Sequence, residues 1–427
     1  MKPQYVAVDV GSLLGKGTFA TALNEQGDVV GYSFVTDFIP HTGARSHAFL
    51  YRNGALTDLF PGDAFGSSVA TSINESGQVV GYRLWDAMGP GQPYVWEEFA
   101  GSTILNPFGA LSVAATGAAN AINDAGVTVG GAANQAFAGR AFFLPPSWLA
   151  GTATDLTPDL ASPYFSSTAV ALNNPGHVVW IQGKPGYSPD NWDTTDSFFS
   201  DGLSVTDLDA LVPLRSFAPQ AMNDVGQVVG YVLGAAPPVQ AYTFANGSMT
   251  PLAPLAPGAA ARAYGVNAAG DVVGTATDAN GDSRAVLWKD DAVLDLNDAI
   301  SSTLGVALTE ARAINDRGQV VAWGHLASSP ELVRSFLLTP RDASDDISDL
   351  LDWVIGLDLP HGIENSLTQK LQNALAALDA GDTQGACDLL NAFIHEVAAQ
   401  AGKKIEASAA AQLIGAANDV RAALGCS

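Results

Sequence analysis

The sequence predicts a mainly β fold: a seven-bladed β-propeller that is closed by its own N-terminal strand and followed by a small all-α domain. Three observations predict it. One phrase recurs seven times at the spacing of a four-stranded blade, the last copy lacks a strand that the start of the chain supplies, and the pattern after Pro340 becomes helical. We therefore expect a propeller domain over residues 1–340 and a helical domain over residues 341–427.

The recurring phrase is clearest in its first two copies, Ala22–Tyr32 and Ser72–Tyr82. Each copy contains an asparagine, a glycine three residues later and a valine-rich strand. The asparagines lie 44 to 50 residues apart, at Asn24, Asn74, Asn123, Asn173, Asn223, Asn267 and Asn315. Asparagine and glycine suit a tight turn, and the flanking residues indicate four short strands per copy: a small-residue strand, the valine strand, an aromatic strand and an Asp-Leu strand.

The two ends of the repeat array complement each other. The seventh copy stops after Ser335–Leu338, without a fourth strand, and the chain begins with Tyr5–Gly11, which matches one. Ring closure by that strand removes the exposed edges that the alternative, an open β-solenoid, would leave. Copy four departs from the pattern because Pro175 occupies the turn and Trp180 replaces a glycine, so we expect a local distortion there.

After Pro340 the apolar spacing predicts four helices, at about 345–357, 364–380, 383–401 and 406–424. The two cysteines, Cys387 and Cys426, fall at the start of the third helix and the end of the fourth. Antiparallel packing of these helices would bring the thiols together, which favours a disulfide over two free thiols and fits an oxidising compartment.

Composition excludes several classes of partner. The chain has 427 residues and a net charge of −24, which repels nucleic acid and anionic membranes, and it lacks an apolar run long enough for a membrane span. Its start has no apolar signal core, so the expectation of a secreted or cell-surface monomer assumes an export signal outside this sequence; the alternative is a cytosolic chain.

Searches for catalytic and metal-binding motifs return weak candidates. Gly11–Thr18 resembles a phosphate loop but is one residue short, so we reject it. Asp278, Asn280 and Asp282 have calcium-like spacing in what the sequence predicts to be a hairpin. We expect no cofactor and no metal, with calcium at that hairpin as the alternative.

Loop lengths indicate one functional face. The connections from second to third strand and from blade to blade are long and variable, and in a propeller they emerge together. Their aromatic, acidic and basic residues suit a sugar, and they are candidate ligand-binding residues: His41, Arg45, Arg83, Trp85, Asp86, Tyr187, Asp190, Trp192 and Asp193. A polar residue also precedes most aromatic strands (His47, Arg140, Gln240, Arg284, Arg334) and is predicted to pair with acids of adjacent blades or to ring this face.

Two family resemblances follow from these motifs. Asn74–Tyr82 and His47–Leu50 resemble the HAF repeats of bacterial extracellular proteins, which implies export and a propeller but no agreed activity. The segments Asn365–Leu371, Leu390–Ile394 and Gly402–Ile405 resemble the FIMAH module of secreted bacterial proteins.

The leading hypothesis is a secreted propeller that binds a glycan or protein on its variable-loop face. The alternatives are a polysaccharide lyase or glycoside hydrolase with acidic residues in the funnel, and a structural cell-surface component. Two carboxylates about 5 to 10 Å apart would favour the hydrolase.

Overall fold

The structure is a computed structural model. It describes residues 4–37, 44–63, 66–84, 91–109, 116–134, 137–148, 151–157, 166–183, 195–212, 216–233, 239–301 and 304–426. The chain divides into two compact units, Met1–Thr339 and Pro340–Ser427.

The first unit is a seven-bladed β-propeller in which every blade is a four-stranded sheet. The first strands are Thr18–Leu23, Ser67–Ile73, Thr116–Ile122, Ser167–Leu172, Ser216–Met222, Ala261–Val266 and Val306–Ile314. The second strands are Val29–Phe34, Val79–Leu84, Thr128–Asn134, Val178–Gly183, Val228–Leu233, Val272–Thr277 and Val320–Leu326.

The outer half of each blade has the same antiparallel order. The third strands are Ser46–Arg52, Gly91–Glu97, Phe137–Leu144, Thr195–Ser200, Gln240–Ala245, Ser283–Lys289 and Ser329–Pro340. The fourth strands of blades one to six are Ala55–Asp58, Gly101–Ile104, Thr154–Asp155, Val205–Asp207, Ser248–Pro251 and Ala292–Asp295, and a short helix, Leu296–Ala299, follows the last of these.

The fourth strand of blade seven is the N-terminal strand, Tyr5–Asp9, which lies beside the third strand of that blade. The Val10 amide donates to the Ser335 carbonyl at 3.0 Å, and the Arg334 guanidinium pairs with Asp9 at 2.8 Å. The predicted closure of the ring by the N-terminus is therefore confirmed.

The first strands of neighbouring blades contact each other all the way round the ring, so they surround the central axis. The apolar core fills the spaces between blades. Val30, Ala70 and Tyr94, for example, belong to one buried cluster that joins blades one and two. This burial of one blade against the next supplies the apolar contact that no single four-stranded blade makes alone.

Each first strand ends in the same asparagine turn. In blade one the Asn24 amide donates to the Asp28 carbonyl and the Gly27 amide donates to the Asn24 carbonyl, both at 3.1 Å. Gly27 has a φ of +83°, which favours glycine. Blade four makes the equivalent bonds through Asn173, Gly176 and His177, so the predicted distortion of its turn was wrong.

The second unit consists of four helices, Ala343–Gly356, His361–Asp379, Thr383–Gln400 and Ala407–Ala423, close to the predicted bounds. Asp342 caps the first of them by accepting from the Ser344 and Asp345 amides. The predicted disulfide joins Cys387 to Cys426, with the Cα atoms 5.7 Å apart. None of the helices in the described part of the chain combines the length and apolar character that a membrane span needs.

Candidate functional site

Every blade carries a β-bulge at the same position of its first strand, three residues before the asparagine. A bulged residue leaves the strand ladder, and its side chain is re-aimed. Because the first strands surround the axis, the bulged residues form a ring around it: Thr21, Thr71, Asn120, Val170, Gln220, Tyr264 and Arg312.

The bulged residues of blades one to three donate hydrogen bonds to the neighbouring blade. Thr21 Oγ1 donates to the Ala70 carbonyl at 2.8 Å, and Thr71 Oγ1 donates to the Ala119 carbonyl at 2.7 Å. Asn120 Nδ2 does the same to the carbonyl of Ala169, also at 2.7 Å. These polar side chains therefore have a structural role.

The opposite side of the ring is aromatic. The rings of Tyr231 and Tyr264 lie 6.4 Å apart, those of Phe19 and Trp323 lie 5.2 Å apart, and Phe19 stacks on Tyr32 at 5.0 Å. All five rings are half-buried. With the two arginines described next they form a continuous surface over blades five, six, seven and one, which we call the axial belt.

Two guanidinium groups connect the rings of the axial belt. Cζ of Arg312 lies 4.2 Å from the centre of the Tyr264 ring and 4.7 Å from that of Trp323, and Cζ of Arg262 lies 5.4 Å from the centre of the Tyr231 ring. Such placement favours cation–π attraction. Trp323 Nε1 also donates to the Ala20 carbonyl at 2.7 Å, which fixes that ring across the closure of the propeller.

The two arginines of the axial belt differ in whether an acidic residue compensates their charge. Arg312 pairs with Glu310 at 3.3 Å, whereas Arg262 makes no ion pair with any residue that the structure describes. Burial raises the pKa of Tyr264 to about 12; Glu310 adds to the rise, and Arg312 and Arg262 oppose it. The phenol is therefore protonated near neutral pH and is able to donate a hydrogen bond.

Blade three lacks an aromatic residue beside the axis. At the position of Tyr32 in blade one it has Gly131, and a cavity of about 380 Å³ opens there between blades three and four. Most of its lining residues are small, and Asn120, Ser166 and Thr168 are among its polar members. A Cβ on Gly131 would meet Thr168 Oγ1 at 2.6 Å, so even an alanine would crowd this space.

The end of the axis that carries the asparagine turns has the same asparagine in every blade. We call it the lower end, and we call the opposite end of the axis the upper end. Each asparagine Nδ2 donates to the carbonyl of the asparagine in the next blade, and Asn315 completes the ring by donating to Asn24 at 3.0 Å. All seven asparagines are buried. This closed ring of hydrogen bonds makes the lower end a structural clamp.

The residue after the asparagine is acidic in five of the seven blades and adds an acidic rim to the lower end. The Glu25 amide donates to Glu75 at 2.9 Å, and the Asp316 amide donates to Glu25 at 2.7 Å. Burial raises the pKa of Glu25, while the hydrogen bond from the Asp316 backbone lowers it. The carboxylates of the rim thus accept from backbone amides of the neighbouring blade.

The sequence-predicted binding residues are mostly in segments that the structure does not describe. His41, Trp85, Asp86, Tyr187, Asp190, Trp192 and Asp193 lie outside the described residues. Arg83 pairs with Asp63 at 2.9 Å and lies over the Phe60 ring, and the Arg45 amide donates to Thr36 Oγ1 at 2.9 Å. Both arginines therefore contribute to local structure at the upper end.

In the hairpin considered for calcium, the carboxylate of Asp278 accepts hydrogen bonds from neighbouring residues. Asp278 Oδ1 accepts from the Asn280 and Asp282 amides at 2.8 and 3.0 Å, and Asp278 Oδ2 accepts from Arg284 at 2.9 Å. The donors compete with any ion for these oxygens. Among the described residues only Asp196, Asp207 and Asp209 bring three possible ligand atoms within 4.8 Å of one another.

Three of the five polar residues before the aromatic strands pair with acids of their own blades. His47 Nδ1 lies 2.8 Å from Asp58 Oδ2, and this hydrogen bond raises the pKa of His47 against the opposing effect of burial. Arg284 pairs with Asp278, and Arg334 pairs with Asp9. The prediction that they pair with acids was right for these three, but the partners belong to the same blade.

Sequence reasoning missed the residues of the axial belt. The available signal was the position three residues before the asparagine, which holds six residue types inside the repeated phrase: Thr, Thr, Asn, Val, Gln, Tyr and Arg in chain order. Variation on a rigid repeat indicates function more strongly than variation in loop length alone.

Comparison with known proteins gives the following relatives. Residues 345–422 match the FIMAH domain family, which confirms the resemblance predicted for the helical unit. No curated protein sequence matches the chain.

Among solved structures, the prolyl endopeptidases align with a TM-score of 0.54 and 9% identity over 76% of this chain and 48% of theirs. This chain thus spans about half the length of those enzymes. The β-propeller domain of the trilobed protease from Pyrococcus furiosus aligns with a TM-score of 0.48 and 11% identity over 76% of this chain and 93% of that one. A fucose-recognising six-bladed lectin from Aleuria aurantia aligns with a TM-score of 0.34 and 15% identity over 57% of this chain and 79% of that one. At these identities the similarity shows the propeller fold alone.

Proposed function

We propose that this protein is a secreted binding propeller that takes a glycan at the upper end of its axis. The observation that carries the proposal is the axial belt, in which five half-buried rings and two guanidinium groups from four blades form one continuous surface. A sugar ring stacks its C–H face on an aromatic ring while its hydroxyls accept from arginine and tyrosine donors. A concave site with rings and a few convergent polar groups is the usual form of a small-ligand pocket.

The same positions argue against a hydrolase. Glycoside hydrolysis needs two carboxyl groups about 5 to 10 Å apart. The residues of the belt come from three positions of the repeat: five residues before the asparagine, three before it and eight after it. At these positions in all seven blades only Glu310 is a carboxylate, and it is paired with Arg312 at 3.3 Å. The acidic rim lies at the other end of the axis. Binding is therefore favoured over catalysis.

Further parts of the proposal rest on the sequence. We propose the HAF-repeat assignment of the propeller, the division at residues 340 and 341, and a contribution of the variable loops around the belt through His41, Trp85 and Trp192. The disulfide is compatible with an oxidising compartment and hence with secretion. No cofactor is proposed.

The test is a glycan-array screen of the full chain, followed by calorimetry and product analysis on the best ligand. Tyr32→Ala should weaken binding about fivefold, because one stacked ring contributes about 1 kcal/mol. Phe99→Ala is the matched control, since Phe99 is 99% exposed in the turn between the third and fourth strands of blade two. Equal affinity of the two variants, or no glycan bound at all, would overturn the proposal. New reducing ends or unsaturated products would replace it with the enzyme.

A further inference from the structure

Arg262 is a cation without a compensating anion in a strongly acidic protein. The chain carries 43 acidic and 19 basic residues. Other arginines form ion pairs with acidic residues. Arg52 pairs with Asp28, Arg83 with Asp63 and Arg334 with Asp9, each at 2.8 to 2.9 Å. Arg262 has neither an ion pair nor a side-chain hydrogen bond to any residue that the structure describes.

The position of Arg262 directs it to the axis. It lies on the first strand of blade six, two residues before the bulged Tyr264, and it is half-buried. Its guanidinium lies over the Tyr231 ring, with Cζ 5.4 Å from the ring centre. The Tyr231 and Tyr264 rings are neighbours, so the guanidinium and the Tyr264 phenol belong to one cluster.

The other guanidinium of the belt does not supply a free charge. Arg312 is paired with Glu310 at 3.3 Å and held between the rings of Tyr264 and Trp323. The charges of Arg312 and Glu310 cancel. The net charge of the cluster formed by these two residues and Arg262 is therefore one positive charge, and it resides on Arg262.

We propose that Arg262 binds the carboxylate of an acidic sugar while the neighbouring tyrosine rings support the sugar ring. This inference rests on the proposed function and specifies its ligand class. A guanidinium presents two parallel N–H donors that match the two oxygens of a carboxylate, and the bond is stronger in a partly desolvated site. Tyr264 supplies a hydroxyl donor beside it.

The charge balance also limits the size of the ligand. One uncompensated cation matches one anionic group, whereas the net charge of −24 repels a long polyanion at distances within the screening length. The ligand is therefore a short glycan, or a glycan terminus, with a single carboxylate. It is not an extended polyuronate.

The experiment uses the full chain and an array of paired glycans, each pair consisting of an oligosaccharide that ends in a uronic acid and the same oligosaccharide with that carboxyl reduced to an alcohol. Calorimetry on the best pair then gives the ratio of the two affinities. Wild type should prefer the acid at least tenfold. Arg262→Gln should bring the ratio near one, because the acid loses more affinity than the neutral sugar does, and Arg262→Lys should keep part of the preference.

Arg317→Gln is the matched control, because Arg317 is exposed in the asparagine turn of blade seven, and it should keep the wild-type ratio. If wild type binds both members of a pair equally, or Arg262→Gln keeps the preference, the inference is wrong while the proposed function stands. If wild type binds neither member of any pair, the inference fails, and if it also binds no other glycan, the proposed function fails with it.

Discussion

At the lower end of the propeller axis the same asparagine recurs in all seven blades, whereas the bulge position, three residues earlier in each first strand, carries five polar or charged residues, a valine and a tyrosine. The lower asparagines make identical bonds to backbone atoms of the next blade. Three of the bulge side chains, such as Thr71, bond to the next blade, and two others, Tyr264 and Arg312, belong to the axial belt. The difference shows that a repeat holds the ring together where its residues are alike and leaves room for a site where they differ.

The largest effect is expected from breaking the uniform end. In Asn123→Ala, the Asn173 carbonyl and the Val127 amide lose buried partners at 3.2 and 2.9 Å. Each unsatisfied group costs about 1 to 3 kcal/mol, so the free energy of unfolding should fall by about 3 kcal/mol while glycan affinity is unchanged. Urea denaturation and calorimetry measure the two quantities.

Asn280→Ala is the control for that variant, because Asn280 is exposed in a hairpin and should change stability by less than about 0.5 kcal/mol. If Asn123→Ala were as stable as the control, the ring of asparagines would not be a clamp. A loss of ligand affinity at unchanged stability would show that the two ends are not separate in function.

A smaller effect is expected from the bulge residues that donate hydrogen bonds to the next blade. Thr71→Val keeps the side-chain shape but removes the hydrogen bond from Oγ1 to the Ala119 carbonyl at 2.7 Å. The free energy of unfolding should fall by about 1 kcal/mol, without a change in affinity. Thr57→Val, on the exposed fourth strand of blade one, is the matched control. A weaker ligand affinity in Thr71→Val would extend the binding surface into blade two.

The smallest effect on stability at neutral pH is expected from Tyr264→Phe, which keeps the aromatic ring in the axial belt. The folded pKa of Tyr264 is about 12, above the unfolded value of about 10. Between these values the unfolded chain has lost the proton that the folded chain retains, so Tyr264 makes the protein less stable as pH rises. Tyr264→Phe should therefore show a shallower loss of stability from pH 10 to 12, measured by thermal unfolding.

Below pH 9 the wild type and Tyr264→Phe should have the same pH dependence, which serves as the internal control. Equal slopes above pH 10 would mean that the phenol of Tyr264 is not buried. Tyr264 would then not be one of the residues that distinguish the axial belt from the lower end.

Much of the architecture was predictable because repeats are visible along the chain. The asparagine spacing indicates the number of blades, the complementary ends indicate the closing strand, and the helical period is enough to place Cys387 beside Cys426. These features depend on local turn chemistry and on element order, which a sequence records directly. Loop length, by contrast, predicts ligand-binding residues in the variable connections. It gives no information about the strands that carry the axial belt.

The order of amino acids alone specifies what each blade contains: an asparagine turn, four short strands and one variable residue before the turn. That this residue is a bulge follows from the fold, since a bulge depends on the register with the second strand. The fold also determines that Phe19, Tyr264 and Trp323 share one surface and that Arg262 has no acidic partner among the described residues. Residues from blades one, six and seven meet there because the ring closes, and closure is a property of all seven blades together.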